Sequence, residues 1–589
     1  MPPKRSSGSP SKRPSKRLRS AGGSSSGGGI GAYDPALDGS ARLIQAAALA
    51  ERAGGGSSYL SLRRFKAGVS SLRELSLQVA AKGLFESVRL PPKDGAGRSG
   101  QGAGAAATVG WDPNRDPAKG EETRQLRQFV QLLPEEVSNR LLRLVLEHAA
   151  AHVDDAADPG VSVLGVAALF FHPNTTKLAL GASLTAPAIL IGRVPQCTAL
   201  REFDLSFQTS LSDRILAKVL VQLKALEVVN LKGATKVGDE SVVALSKATE
   251  ERLTSVNLSL TAVTVKGLTS LLARGKGLEV LKLANVANLN EKNMNKLIED
   301  ATSLAIGSRH VPLSRLRTLK LRSTDLTDAS IGRLLTLCAL TLTHLDISYT
   351  SLRSLDFVSS ALHAVPEWKL EKLVASGLPL SPVSLEGFFR PLSERDEDER
   401  RRFKILKLGA IPASSTKAPG LTDAVLARIL PFLEKLEGLE NVSFFQNWQL
   451  GKTMQPLSRF IETVGRRCVH LDLTLPVESH HLEALLPLSP EDDLAATEEA
   501  EPYEPPQIQT LVLDSSRITD DAAGAISACR ELRALHVAET RISTKFLATV
   551  LAACPDLSNL NLTSCRGIPV VQRRNFFDAW EKGEVAVTP

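Results

Sequence analysis

Aromatic residues make up only 4% of this 589-residue chain, with four Trp and four Tyr. Any core must therefore be aliphatic, and aromatic anchors of the kind that dominate many interfaces are few. Six Cys are too few for a disulfide scaffold. No apolar run reaches the roughly 18 residues that span a bilayer. No hydrophobic stretch follows the basic N-terminus, so it does not read as a secretory signal. The expectation is a soluble intracellular protein with reduced thiols and no membrane partner. Nucleotide and metalloprotease motifs are also missing. Gly95-Ala96-Gly97-Arg98-Ser99-Gly100 matches G-x-G-x-x-G but sits in a Gly/Ala stretch, without the strand and helix the fingerprint needs. His480-His481 stands alone, as if in a loop, and no Cys pair has zinc spacing. No catalytic residue, metal site or cofactor is expected, and the chain does not read as an enzyme.

What is present is charge at one end and periodicity over most of the rest. The formal net charge is +7. Lys4, Arg5, Lys12, Arg13, Lys16, Arg17 and Arg19 equal that excess, so the remaining body is formally neutral. Residues 1–58 are expected to be a disordered basic tail, residues 59–86 a short helical segment and residues 87–120 a flexible linker. The helix should run from Ser71 to Phe85. From Glu121 two amphipathic helices follow, with Pro134 in the first turn of the second. Residues 121–172 thus form a helical cap or adapter region, residues 173–575 a repeat array and residues 576–589 a C-terminal tail.

The array repeats L-x-x-L-x-L with apolar substitutes. It begins at Leu200-Phe203-Leu205 and Leu226-Val229-Leu231 and ends at Leu532-Leu535-Val537 and Leu557-Leu560-Leu562. A weaker copy sits at Leu178-Leu180. The tightest periods, about 24–28 residues, fall in the leucine-rich-repeat range. One unit cannot bury the apolar side of its strand, but stacked units can. Runs such as Leu326-Thr327-Asp328 and Leu421-Thr422-Asp423 follow the strands and should cap the helix that comes next. The fold class expected is α/β: a horseshoe solenoid with a concave parallel sheet, convex helices and a helical N-terminal cap. The charged run Glu394–Arg402 and the acidic stretch 488–506 read as solvated loops.

These repeats resemble the cysteine-containing, ribonuclease-inhibitor-like subfamily, with Cys197, Cys529 and Cys554 three residues before the first Leu. Ahead of them, Leu72, Ser76 and Ala80 resemble an elongin-C-binding box, with Ser76 where that family carries Cys. Leu133, Pro134, Val137 and Leu141 resemble a cullin box, and also the start of an F-box. The order of parts is similar to leucine-rich-repeat substrate receptors of cullin–RING ubiquitin ligases. That resemblance implies elongin C or Skp1 with a cullin as partners, and a protein target for ubiquitin-dependent degradation. The same helices also read as a cap over the open N-terminal end of the array, and the two roles are compatible. The alternative function is a nuclear scaffold or a DNA-repair or chromatin-associated binding protein without ligase partners.

Residues between the strand leucines should face the concave side and meet the target: Arg317, Lys320, His344, Asp346, Lys372, Lys404 and Lys407. Phe445 and Trp448 are candidates for an aromatic anchor or for local packing. Lys4-Arg5 and Lys12-Arg13-Pro14-Ser15-Lys16-Arg17 resemble a bipartite nuclear localisation signal, implying an import receptor as partner and a nuclear location; nucleic acid would be met only weakly, through this tail.

Overall fold

The computed structural model describes residues 61–63, 72–88, 117–151, 163–181, 188–287, 289–306, 311–412, 420–486 and 504–582. The basic tail, the G-x-G-x-x-G match and most of the acidic stretch 488–506 lie outside them.

Each L-x-x-L-x-L copy makes a three-residue strand with its middle side chain buried and the flanking two at least partly exposed in most copies. The strands are β2 (Lys177–Ala179), β3 (Glu202–Asp204), β4 (Val228–Asn230), β5 (Ser255–Asn257) and β6 (Val280–Lys282). They continue with β7 (Thr318–Lys320), β8 (His344–Asp346), β9 (Lys372–Val374), β10 (Ile405–Lys407) and β11 (Asn441–Ser443). The last are β12 (His470–Asp472), β13 (Thr510–Val512), β14 (Ala534–His536) and β15 (Asn559–Asn561). All pair in parallel with their sequence neighbours, middle residue to middle residue: Leu319 lies between Leu281 and Leu345. The architecture is a leucine-rich-repeat solenoid. The weak copy at Leu178-Leu180 is a full member, with both leucines buried. One apolar core, almost wholly aliphatic, runs through every repeat without a break.

A strand this short must turn at once. Two positions past the last repeat leucine the backbone enters the left-handed region in nearly every copy, at Phe207, Leu260, Ser323, Tyr349 and Ser515 among others. Two copies place Gly233 and Gly377 there. For an L residue this conformation costs roughly 1–2 kcal/mol, and side-chain hydrogen bonds offset it. Asp204 and Asp346 each accept from the amide two residues on, at 2.8 and 3.1 Å. One residue past the turn, the hydroxyls of Thr261, Thr324, Thr350 and Thr540 donate back to the carbonyl three residues earlier. Buried Asn447 bonds Leu408 O, Phe444 O and Ile411 N in the corresponding place.

The aspartates expected to cap their own helices do something else. Asp213, Asp239, Asp328 and Asp423 are each the first helical residue, with Ser212, Gly238, Thr327 and Thr422 at the cap position. Each carboxylate instead reaches one repeat onward and accepts the free amides that open the next unit's helical segment. Asp213 takes Glu240 N and Ser241 N; Asp239 takes Thr264 N and Gly267 N; Asp328 takes Ser354 N. Asp423, buried, accepts from Gly451, Lys452 and Thr453 at 2.7–2.9 Å. The side chain that starts one helix therefore ties down the next repeat.

Three sequence expectations change. Glu394–Arg402 is not a solvated loop: Glu397–Arg402 is a helix capped by Asp396, and Glu399 is buried. Glu399 accepts from Trp368 N and pairs with Arg395 at 3.3 Å, so this insertion braces the β9 repeat. His480-His481 lies in the helical turn Ser479–Leu482, where buried His481 accepts Glu478 N through Nδ1. Segment boundaries also shift. Helix α1 is Leu72–Val88, α2 is Pro117–Leu132, beginning inside the expected linker, and α3 is Glu135–Ala151; Val163–Phe170 is α4. Pro134 stands just before α3, its carbonyl accepting the first helical amides. The final helix, Val570–Lys582, runs past residue 575.

Both open edges of the sheet are covered. At one end α3 lays Asn139 along β2, its amide group bonding Lys177 O and Ala179 N, while Glu135 accepts Thr176 N. At the other end β1 (Ser61–Arg63) pairs antiparallel with β15. Helix α1 packs on α3. Only eight residues separate β1 from α1, so strand and helix are joined by at most about 30 Å of chain. The two ends of the arc are thus held within reach of each other.

Replacing Asp423 with Ala leaves three amides without their acceptor. The expected loss is about 1–3 kcal/mol, read as a lower denaturation midpoint and faster hydrogen exchange at Gly451–Thr453. Unchanged exchange there would show that the inter-repeat carboxylates are not structural.

Candidate protein-interaction surfaces

Helix α1 has two faces, set by the 100° advance per residue. Ala81 and Leu84 are buried and Leu77 and Ala80 are partly buried, all against the solenoid core. Ser76, Val79, Lys82 and Gly83 point outward; Val79 is 74% exposed, and a methyl added at Gly83 would meet nothing within 4 Å. Leu72 is the first residue of the helix, one turn before Ser76. The box residues therefore divide: Ser76 faces out and Ala80 sits at the edge of the packed face.

The second box is largely used internally. Leu141 is buried, and Leu133 and Val137 pack partly against the core; Pro134 is exposed. This segment covers the first repeat, as a cap must. The exposed apolar groups nearby are Phe129 (50%) and Leu132 (85%), at the end of α2. In the sequence Phe129 falls in the apolar pattern of Leu126, Val130 and Leu133, and Leu132 lies outside that pattern. That spacing suited the core as well as the surface, and only the packing of α2 on α4 separates the cases.

On the concave side the structure sorts the expected residues into two rows. Arg317 and Lys404 precede their strands and form exposed ion pairs, with Glu279 at 3.8 Å and Glu440 at 2.8 Å. Pairs of this kind contribute little. Lys320, His344, Asp346, Lys372 and Lys407 lie within strands and form the sheet surface itself. Lys282 joins them on β6, in register with Lys320. Reading the third strand position down all the repeats would have found it. Burial lowers the pKa of Lys282 and of Lys372, and the neighbouring lysines lower them further. His344 and His470 are also lowered, chiefly by burial.

Further along, Trp448 is 49% exposed. Phe445 lies against Gly409 so closely that a Cβ there would overlap its ring. Phe207 and Tyr349 pack over Gly233 and Gly377 in the same way. Phe445 is therefore local packing, and Trp448 is the member of the expected pair that a partner can reach.

No protein-family profile matches the chain, and no curated protein matches it. Solved structures do. The Rad7–Elc1 complex from yeast is similar at 15% identity and a TM-score of 0.42, over 86% of this chain and 96% of that one. An internalin (inlF) from Listeria monocytogenes is similar at 14% identity and a TM-score of 0.35, over 69% and 92%.

The cysteines belong to the packed interior. All six are buried and unbridged. Burial pushes Cys338, Cys468 and Cys529 up to about 12 and Cys197 and Cys554 up to about 11. Cys468, Cys554 and Cys565 donate to a carbonyl of the preceding repeat. A thiol held this far above neutrality has almost no thiolate at pH 8. An aromatic disulfide reagent at pH 8 should leave the native chain unlabelled and label all six thiols in denaturant. Rapid native labelling would contradict the packing described.

Proposed function

We propose that this chain is the target-recognition subunit of a cullin–RING ubiquitin ligase, joined to its adapter through α1 and to its target through the concave sheet. The observation that carries this reading is the outward stripe of α1. An amphipathic helix that docks in a partner's groove needs one face fixed to its own protein and a second face of small and apolar groups left exposed. Helix α1 has both: Ala81 and Leu84 are anchored in the core, while Ser76, Val79 and Gly83 face outward with Lys82 beside them. Phe129 and Leu132 give the cap further exposed apolar surface. Elongin C is the adapter suited to this helix. The F-box-like reading is weaker, because Leu133 and Val137 are committed to covering the first repeat.

The scaffold alternative is favoured by one observation, that α3 already has a full structural task in sealing β2 through Glu135 and Asn139. A nuclear location, directed by Lys4, Arg5, Lys12, Arg13, Lys16 and Arg17 through an import receptor, is part of the proposal under either reading.

The deciding experiment is co-purification from cells of the full chain and of Ser76→Lys and Val79→Asp variants. Both positions are exposed, so the variants should fold. The unaltered chain should bring down elongin C and a cullin, and each variant should lose at least about 10-fold of that yield, since a charge driven into an apolar groove costs more than one decade of affinity. A chain that recruits neither, or variants that recruit as well as the parent, would leave the scaffold reading in place.

A further inference from the structure

Over five consecutive strands the concave face gathers four lysines, and only one strand carboxylate stands among them. Lys282 and Lys320 are side by side on β6 and β7; Lys372 follows on β9 and Lys407 on β10. All four are half-buried on the sheet, and none is in an ion pair among the described residues. Lys232 and Arg322 lie just past β4 and β7, over the rings of Phe207 and Tyr349 at 4.9 and 4.7 Å. One strand carboxylate interrupts the row, Asp346, and it is engaged by Ser348 N. Glu371 lies before β9, off the strand row. The lysines repel one another: Lys320 acts on both Lys282 and Lys372, and Lys407 on Lys372, where Asp346 offsets part of the effect. A protein surface that holds like charges together in partly desolvated positions is stabilised by any ligand that brings the opposite charge.

The row has ends. On one side β3 presents Asp204, and on the other β12 presents Asp472, with Asp514 just past β13. Burial raises the pKa of Asp514, with Asp472 and Glu539 adding to the effect. A uniform polyanion laid along the arc would run from lysines into these carboxylates. A protein segment need not, because its acidic stretch can stop where the lysines stop.

We infer that the concave face from β6 to β10 is the docking site for an Asp/Glu-rich extended segment of a partner protein, held by Lys282, Lys320, Lys372 and Lys407. Strands lie about 4.8 Å apart, so the five span roughly 19 Å, the length of about six residues of extended chain. Alternate side chains of such a segment face the sheet about 7 Å apart, which suits carboxylates at every second or third residue. This assignment rests on the reading of the concave sheet as the target surface and adds the chemistry of the target.

The test is fluorescence anisotropy of a labelled ten-residue glutamate peptide with the full chain. It is run in two backgrounds, the natural tail and a tail with Lys4, Arg5, Lys12, Arg13, Lys16 and Arg17 replaced by Ala. In both, binding should weaken with salt and fall on the order of 10-fold for each of Lys320→Glu and Lys407→Glu. Lys320→Gln should lose less, and Asp472→Lys should bind no worse than the parent. Circular dichroism confirms that the variants fold. Absence of peptide binding, binding untouched by the lysine reversals, or binding lost with the tail alone would overturn the assignment. So would tighter binding of a single-stranded oligonucleotide of equal charge at the same lysines. Elongin C recovery should be unchanged in the lysine variants. Loss of the adapter alone, with peptide binding intact, would refute ligase recruitment and leave the acidic target standing.

Discussion

The constraint on which this molecule depends is that no repeat can bury its own strand. Leu319 is buried only because Leu281 and Leu345 flank it in the ladder, and the same holds at every step. Hydrogen bonding obeys the same rule. The first helical aspartate of one unit satisfies the open amides of the next, so backbone needs as well as apolar surface are met by the neighbour. Stability is then a chain of interfaces, and the two ends become the weak points. The structure treats them accordingly. Asn139 and Glu135 on α3 substitute for a missing strand beside β2, and β1 supplies a real one beside β15.

The division of labour among the surfaces follows from that construction. Strand interiors and the inward faces of the helices are consumed by stacking. What remains free for recognition is the exposed sheet face and the outer side of the cap. The sheet face carries its charge in columns, because the same strand position recurs in every repeat, and four lysines fall on five neighbouring strands with Asp346 between them. On the cap, α1 is held by Ala81 and Leu84 and turns Ser76 and Val79 outward.

Much of this was legible in the sequence. The leucine period fixed the fold class and the strand positions, including the faint copy at Leu178, because burial of alternate residues is a strong local signal. The role of Asp423 was not legible. A Thr-Asp pair before a helix looks the same whether the carboxylate turns back or reaches forward, and the outcome depends on where the next repeat lies. The run Glu394–Arg402 misled for a related reason: charge predicts solvent exposure only when no partner is near, and Glu399 finds Arg395 and the Trp368 amide. Among the candidate site residues, Arg317 and Lys404 stand three positions before Lys320 and Lys407, yet the first two form ion pairs on the rim and the second two form none among the described residues. Sequence spacing places a residue on an element but does not say which acid lies beside it.

The central claim is that one chain carries two separate docking surfaces, an adapter face on α1 and a target face on the sheet. Hydrogen–deuterium exchange of the full chain with and without elongin C tests it most directly. The account predicts protection within Leu72–Val88 with the β6–β10 amides unchanged. Protection on the concave strands, or none in α1, would contradict it.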